Sequence, residues 1–159
     1  MKSARLPENL SAWDVIDWSL KQTDLPRQRD VYAAFGDPPI TVYSAPRFYI
    51  DVYFWFEGTT TTHQHSFCGA FQVLAGSSIH SWYEFETRDA VNSFVQIGDL
   101  NLKVCELLKV GDVQEIRPGR QYIHSLFHLD QPSVTIVVRT EKSQLFLPQF
   151  DYHKPGLAA

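Results

Sequence analysis

From residue 40 onward the chain consists of short β-forming runs separated by turn-formers, and this alternation leaves few folds open. Residues 40–44, 48–57, 66–75, 77–86, 102–108, 114–116, 122–127 and 133–140 are rich in Val, Ile, Phe, Tyr, Trp and Thr. Such β-branched and aromatic side chains suit a pleated, half-buried surface. Between the runs stand Pro46, Gly58, Gly76, Gly98-Asp99, Gly111-Asp112, Pro118-Gly119 and Asp130-Gln131-Pro132. About eight strands at near-even spacing predict an all-β sandwich or barrel, in which closure removes exposed sheet edges. The 159 residues are 44% hydrophobic and 14% aromatic, enough to bury one core of that kind. Tyr53, Trp55, Phe67, Phe71, Trp82 and Tyr83 are expected to line or fill it.

The first forty residues have a different pattern. Ser11-Ala12-Trp13-Asp14 resembles a capping box, with an acid three residues after the serine. Leu10, Trp13, Ile16 and Leu20 then recur at helical spacing, which predicts an amphipathic helix over residues 11–22. Its apolar stripe is expected on the outside of the barrel or at a homodimer contact. Pro26, Gly36, Pro38 and Pro39 break residues 23–39 into loop. The expected organisation is an N-terminal helix and loop arm (1–39), a β-barrel (40–150) and a C-terminal tail (151–159). The tail lacks a charged or capping terminator, as though the chain once continued.

Composition narrows the partners. A formal net charge of −4 argues against a nucleic-acid groove or an anionic membrane surface, both of which need clustered Lys and Arg. Met1-Lys2-Ser3-Ala4-Arg5-Leu6-Pro7 has no apolar stretch behind its charges, as a secretory signal would. No run approaches the roughly 20 apolar residues of a membrane span. Cys68 and Cys105 sit in apolar runs and are expected to be buried reduced thiols. The expectation is a soluble, cytoplasmic protein acting on a small molecule.

Six histidines carry the chemistry. His63-Gln64-His65 stands at the start of a strand, and a spacing of two puts both imidazoles on one face. Two imidazoles on one barrel wall are two-thirds of a facial metal site. His124 and His128 lie about sixty residues later, after Pro118-Gly119, on a strand expected opposite the first. Unpartnered buried imidazoles would cost about 1–3 kcal/mol each, which favours a ligand role over chance. His128 is a candidate fourth ligand or supporting group, because an offset of four keeps it on the face of His124. His80 reads as a hydrogen-bonded pocket histidine, and Gln72 as either a solvent-facing amide or a pocket group beside the metal. Glu57 and Glu84 read as solvated strand-end charges.

At these residues the sequence resembles the cupin superfamily, whose first motif is glycine, five residues, His-x-His and, further on, a glycine. Gly58, His63-Gln64-His65 and Gly76 match it with four residues instead of five before His63, while Gly111-Asp112, Pro118-Gly119 and His124 match the second motif more loosely. The resemblance spans residues 48–140 and implies a cupin (jelly-roll) barrel holding one metal ion on His63, His65 and His124. Many cupins place a glutamate ligand seven residues before the motif's last glycine, and that position here is Gly69. A three-histidine site is implied, and Gly69→Glu is expected to supply the missing carboxylate and tighten metal binding. Three-histidine sites are typical of the thiol dioxygenase branch, which the runs 76–85 and 123–138 also resemble. That branch's Ser-x-His-x-Tyr run is matched by Thr135, Val137 and Arg139, and its carboxylate-binding arginine has no clear counterpart, although Arg47 lies nearby.

The metal ligands therefore carry over from the family and the thiol substrate does not. Imidazole donors suit Fe, Zn, Ni, Mn or Cu, and affinity order does not decide which is loaded. The first expectation is a non-heme Fe(II) dioxygenase, an oxidoreductase acting with O2 on a small organic substrate. The alternative is a non-catalytic metal- or ligand-binding cupin module of a larger protein.

Overall fold

A computed structural model describes residues 1–29, 36 and 39–159. The fold is the expected all-β barrel with a short N-terminal helix. Among the described residues, eleven strands form two layers. They are β1 (Pro39–Ser44), β2 (Phe48–Trp55), β3 (Thr62–His65), β4 (Gly69–Ala75), β5 (Ser78–Ala90) and β6 (Gln96–Leu108). Next in the chain are β7 (Val113–Ile116), β8 (Gly119–His128), β9 (Ser133–Thr140), β10 (Asp151–His153) and β11 (Leu157–Ala158). One sheet runs β1-β2-β9-β4-β7, and the other closes on itself in the order β10-β11-β6-β5-β8-β3.

Period-2 alternation decides what lies between the layers. On β4, Phe71 and Val73 join Tyr53, Phe67, Ile116, Tyr122, Leu126 and Val137 in the inner core. Leu74, on the opposite face, belongs to a separate cluster with Val52, Phe54, Val134 and Ile136. Two helices cover that face, α1 (Leu6–Asn9) and α2 (Ala12–Lys21). The capping box of α2 forms as read: Ser11 Oγ accepts from the Asp14 amide, and the Asp14 carboxylate accepts from the Ser11 amide.

Three expectations need correction. Helix α2 packs through Ala12, Val15 and Ile16, with Leu10 just before it, whereas Trp13 and Leu20 remain 69% and 81% exposed. A ten-residue helix on a convex sheet buries one narrow stripe, and the stripe used is offset by one position from the predicted one. Cys68 and Cys105 are free thiols but exposed: Cys68 stands in the connection just before β4, and Cys105 in the exposed stretch of β6. Residues 151–159 are not a loose tail: β10 pairs with β3, and β11 with β6, closing the second sheet. Pro39 opens β1, and Pro38 lies outside the described residues. Among the described residues, no helix is long and apolar enough to cross a membrane.

Candidate metal centre

The three predicted ligands converge. Their ligating nitrogens all lie within 4.8 Å of one another, and all three side chains are buried. Strands β3 and β8 are hydrogen-bonded neighbours of one sheet, not facing walls, and His63 is the direct cross-strand partner of His124. A register shift comes next, so that His65 pairs with Gly119. This irregularity brings the second imidazole of β3 back against the first pair, with ring centroids 5.1 Å apart for His65 and His124. On the other side of β8, His124 pairs with Trp82 of β5.

The C-terminal segment fixes β3 from behind. Gln64 points away from the imidazoles, and its Oε1 accepts from the buried Tyr152 hydroxyl at 2.6 Å. Its amide N–H donates to the Phe150 carbonyl, and its Nε2 to the Pro148 carbonyl. The strand carrying two ligands is thus held by residues that the sequence presents as a tail.

Hydrogen bonding decides which nitrogens are available. His63 Nδ1 donates to the Thr61 carbonyl at 2.8 Å, which leaves Nε2 as its lone-pair nitrogen. His65 Nε2 and His124 Nε2 lie 2.9 Å apart. Two neutral imidazoles facing each other can share one proton at most, so the spacing needs a bridging cation or a single hydrogen bond. With metal–nitrogen bonds of about 2.1 Å, nitrogens at this separation are adjacent ligands at about a right angle. The donor set therefore fits one first-row divalent ion. Burial holds His63 below the usual imidazole range, against the Thr61 carbonyl and Asp151, which raise it; burial holds His65 and His124 well below that range, the neighbouring imidazoles and, for His65, Arg139 adding to the effect. All three are neutral at pH 7, as metal ligation requires.

The supporting candidates separate. Both ring nitrogens of His80 have hydrogen-bond partners: Glu106 Oε1 meets Nδ1 at 3.0 Å and the Tyr122 hydroxyl meets Nε2 at 3.0 Å. Its ring lies edge-on to His124 with centroids 5.4 Å apart, and Tyr122 packs on His124 at 4.4 Å. His128 is buried but outside the cluster, one full stretch further along β8, where Ser78 Oγ meets Nδ1 at 2.8 Å and Trp55 stacks at 4.7 Å. Burial pulls it down to about 4. Gln72 takes neither reading: it is buried, shares the phase of Leu74, and its Nε2 donates to the Gly111 carbonyl at the turn before β7.

The cluster forms part of the wall of a cavity of about 250 Å3, shared with Trp55, Phe67, Phe71, Leu126, Thr135 and Arg139 among others. Arg139 was not expected there, whereas Arg47 is exposed on the β1–β2 turn. The signal was present, since Thr135, Val137 and Arg139 alternate along β9 onto one face. Gly69 has no room for a ligand: a Cβ there would strike the Val138 carbonyl oxygen and lie 3.2 Å from Arg139 Cα and Cβ.

These burials set an expected pH response. The neutral histidines stabilise the fold above the unfolded imidazole pKa of about 6.5, and that contribution is lost as pH falls toward their depressed folded values. Metal-free protein should have a lower urea midpoint at pH 5 than at pH 7.5. An unchanged midpoint would mean that these imidazoles are hydrated in solution.

No family model and no curated protein matches the sequence. Solved structures share the fold. Hydroquinone 1,2-dioxygenase from Sphingomonas sp., with 4-hydroxybenzoate bound, aligns with a TM-score of 0.51 at 11% identity, over 71% of each chain. An RmlC-like cupin from Shewanella frigidimarina aligns at 0.48 and 12% identity, over 76% of this chain and 94% of that one. A DMSP lyase chain aligns at 0.45 and 16% identity, over 70% of this chain; the match spans 50% of the lyase. The likeness to the hydroquinone dioxygenase is one of fold alone: an all-β, closed barrel with few helices.

Proposed function

We propose that the protein is a mononuclear metal-dependent cupin in which His63, His65 and His124 hold one Fe(II), and that it oxygenates a small organic substrate with O2. The observation that carries this reading is the donor set: three buried neutral imidazoles, within 4.8 Å of one another, opening onto a cavity. Catalytic metal sites keep open positions, whereas structural ones are closed by a fourth protein ligand. No Asp, Glu or Cys joins the cluster among the described residues. When bound, such an ion supplies a redox-active Lewis-acid centre with room for substrate and O2 together.

The chain's own residues do the rest. His63 is oriented by the Thr61 carbonyl, and the His124 ring packs against those of His63 and Tyr122. Phe67, Phe71 and Leu126 keep the cavity apolar and hold water away from the imidazoles. Ser-x-His-x-Tyr, the run of the thiol dioxygenases, is replaced by Thr135, Val137 and Arg139, so cysteine is not the substrate proposed.

Protein loaded anaerobically with Fe(II) should take up O2 in the presence of one class among small organic acids, phenols and diketones. The Zn(II)-loaded protein should not. Iron bound stoichiometrically, with no O2 uptake for any class, would instead make the protein a non-catalytic metal-binding module.

A further inference from the structure

Arg139 is a charged residue where a barrel strand would ordinarily place an aliphatic one. It comes after Thr135 and Val137 on the inward phase of β9, and it is only 7% exposed. Its cross-strand partners are Tyr49 of β2 and Gly69 of β4. Because Gly69 has no side chain, β9 lies close beneath it: a Cβ there would strike the Val138 carbonyl oxygen and come to 3.2 Å from Arg139 Cα and Cβ.

The guanidinium is held in place. Its carbon lies 3.7 Å from the centroid of Phe67 and 5.2 Å from that of Tyr49, so aromatic faces flank it. Nη1 donates to the Tyr53 hydroxyl at 3.2 Å, which in turn donates to the fully buried Asp51 carboxylate at 3.1 Å. Thr41 Oγ1 donates to the other Asp51 oxygen at 2.7 Å. A planar guanidinium presents donors in a fixed fork that matches a carboxylate, and it stays charged throughout the physiological range.

The cavity itself favours an acid. Its described lining contains Arg139 and Lys142 and no Asp or Glu. About 250 Å3 corresponds to the space of about eight waters at roughly 30 Å3 each, enough for one small organic molecule. The walls between Arg139 and the histidines are aromatic or aliphatic, suited to a carbon skeleton.

We propose that Arg139 is the carboxylate receptor of this cavity, so that the protein's ligand is a small organic acid. Its anionic end would face Arg139 and its apolar part Phe67 and Phe71. This inference builds on the metal-centre reading, since the same cavity would place the acid beside the ion, but it predicts acid selectivity with or without metal.

The test uses phenylacetate and its neutral amide, phenylacetamide, titrated calorimetrically into the full chain, metal-free and metal-loaded. Wild type should bind the acid about tenfold or more tightly than the amide, the scale of a charge-assisted pair in a desolvated site. Arg139→Gln should erase that preference, chiefly by weakening binding of the acid, and Arg139→Lys should retain part of it. Equal affinity of wild type for the two probes would overturn the proposal, and this result requires no variant to fold. So would a folded Arg139→Gln protein that keeps the preference. Acid selectivity in a protein that binds no metal would sink the metal-centre reading and leave the Arg139 assignment standing.

Discussion

His124→Ala should abolish stoichiometric metal binding. The imidazole it removes is fully enclosed, and its Nε2 lies 2.9 Å from that of His65. Loss of an outer-shell partner already costs about 10- to 100-fold in metal affinity, so loss of a direct ligand should cost about 100-fold or more. Wild type purified under reducing conditions should carry about one first-row ion per chain, as a single ligand cluster implies. His63→Ala and His65→Ala should match His124→Ala. His128→Gln removes an imidazole from the same strand but outside the cluster, and should keep its ion. Elemental analysis after desalting, paired with near-ultraviolet circular dichroism to establish folding, decides it. A folded His124→Ala protein with its full metal content would show that the ion binds elsewhere.

Gly69→Glu should destabilise the protein severely instead of adding a fourth ligand. The family resemblance puts a carboxylate at this position, but β4 lies too close to β9 for any Cβ there. The first atom of a side chain would meet the backbone oxygen of Val138, which cannot rotate away as a side chain can. Overpacking of a tight core costs about 1–3 kcal/mol, and burying a carboxylate adds to it, so a loss of about 3 kcal/mol or more is expected. Gly69→Ala isolates the steric part and should itself be clearly destabilising. Chemical denaturation of the three proteins measures both. A stable Gly69→Glu protein with tightened metal affinity would show that β4 and β9 move apart and that the position is a latent ligand site.

Much of the fold was legible because its signals are local. Alternation along β9 and β4, the turn-formers between strands, and the Ser11–Asp14 capping box depend on neighbours a few residues apart. The His63 and His65 pair was legible for the same reason, and the resemblance supplied His124 from outside the local pattern. Helix α2 was placed correctly along the chain but not around its axis. Apolar residues occur on more than one of its faces, and only the sheet beneath selects Ala12 and Val15 over Trp13 and Leu20.

What tertiary structure alone decided concerns groups whose partners are distant in sequence. The strands β10 and β11 are short and weakly apolar, and they exist because β3 and β6 offer unpaired edges once the barrel has formed. The register shift that gathers His65 onto His63 and His124 arises between β3 and β8, not within either. Arg139 reads as a surface charge by default, since an arginine is seldom buried without partners. Its interior position depends on Gly69, Phe67 and Tyr53, each supplied by a different stretch of the chain. Local pattern determined by itself that the chain is an all-β sandwich or barrel with two histidines on one strand. Long-range backbone pairing and the desolvation of the groups it encloses decided that three imidazoles and one guanidinium share a single cavity.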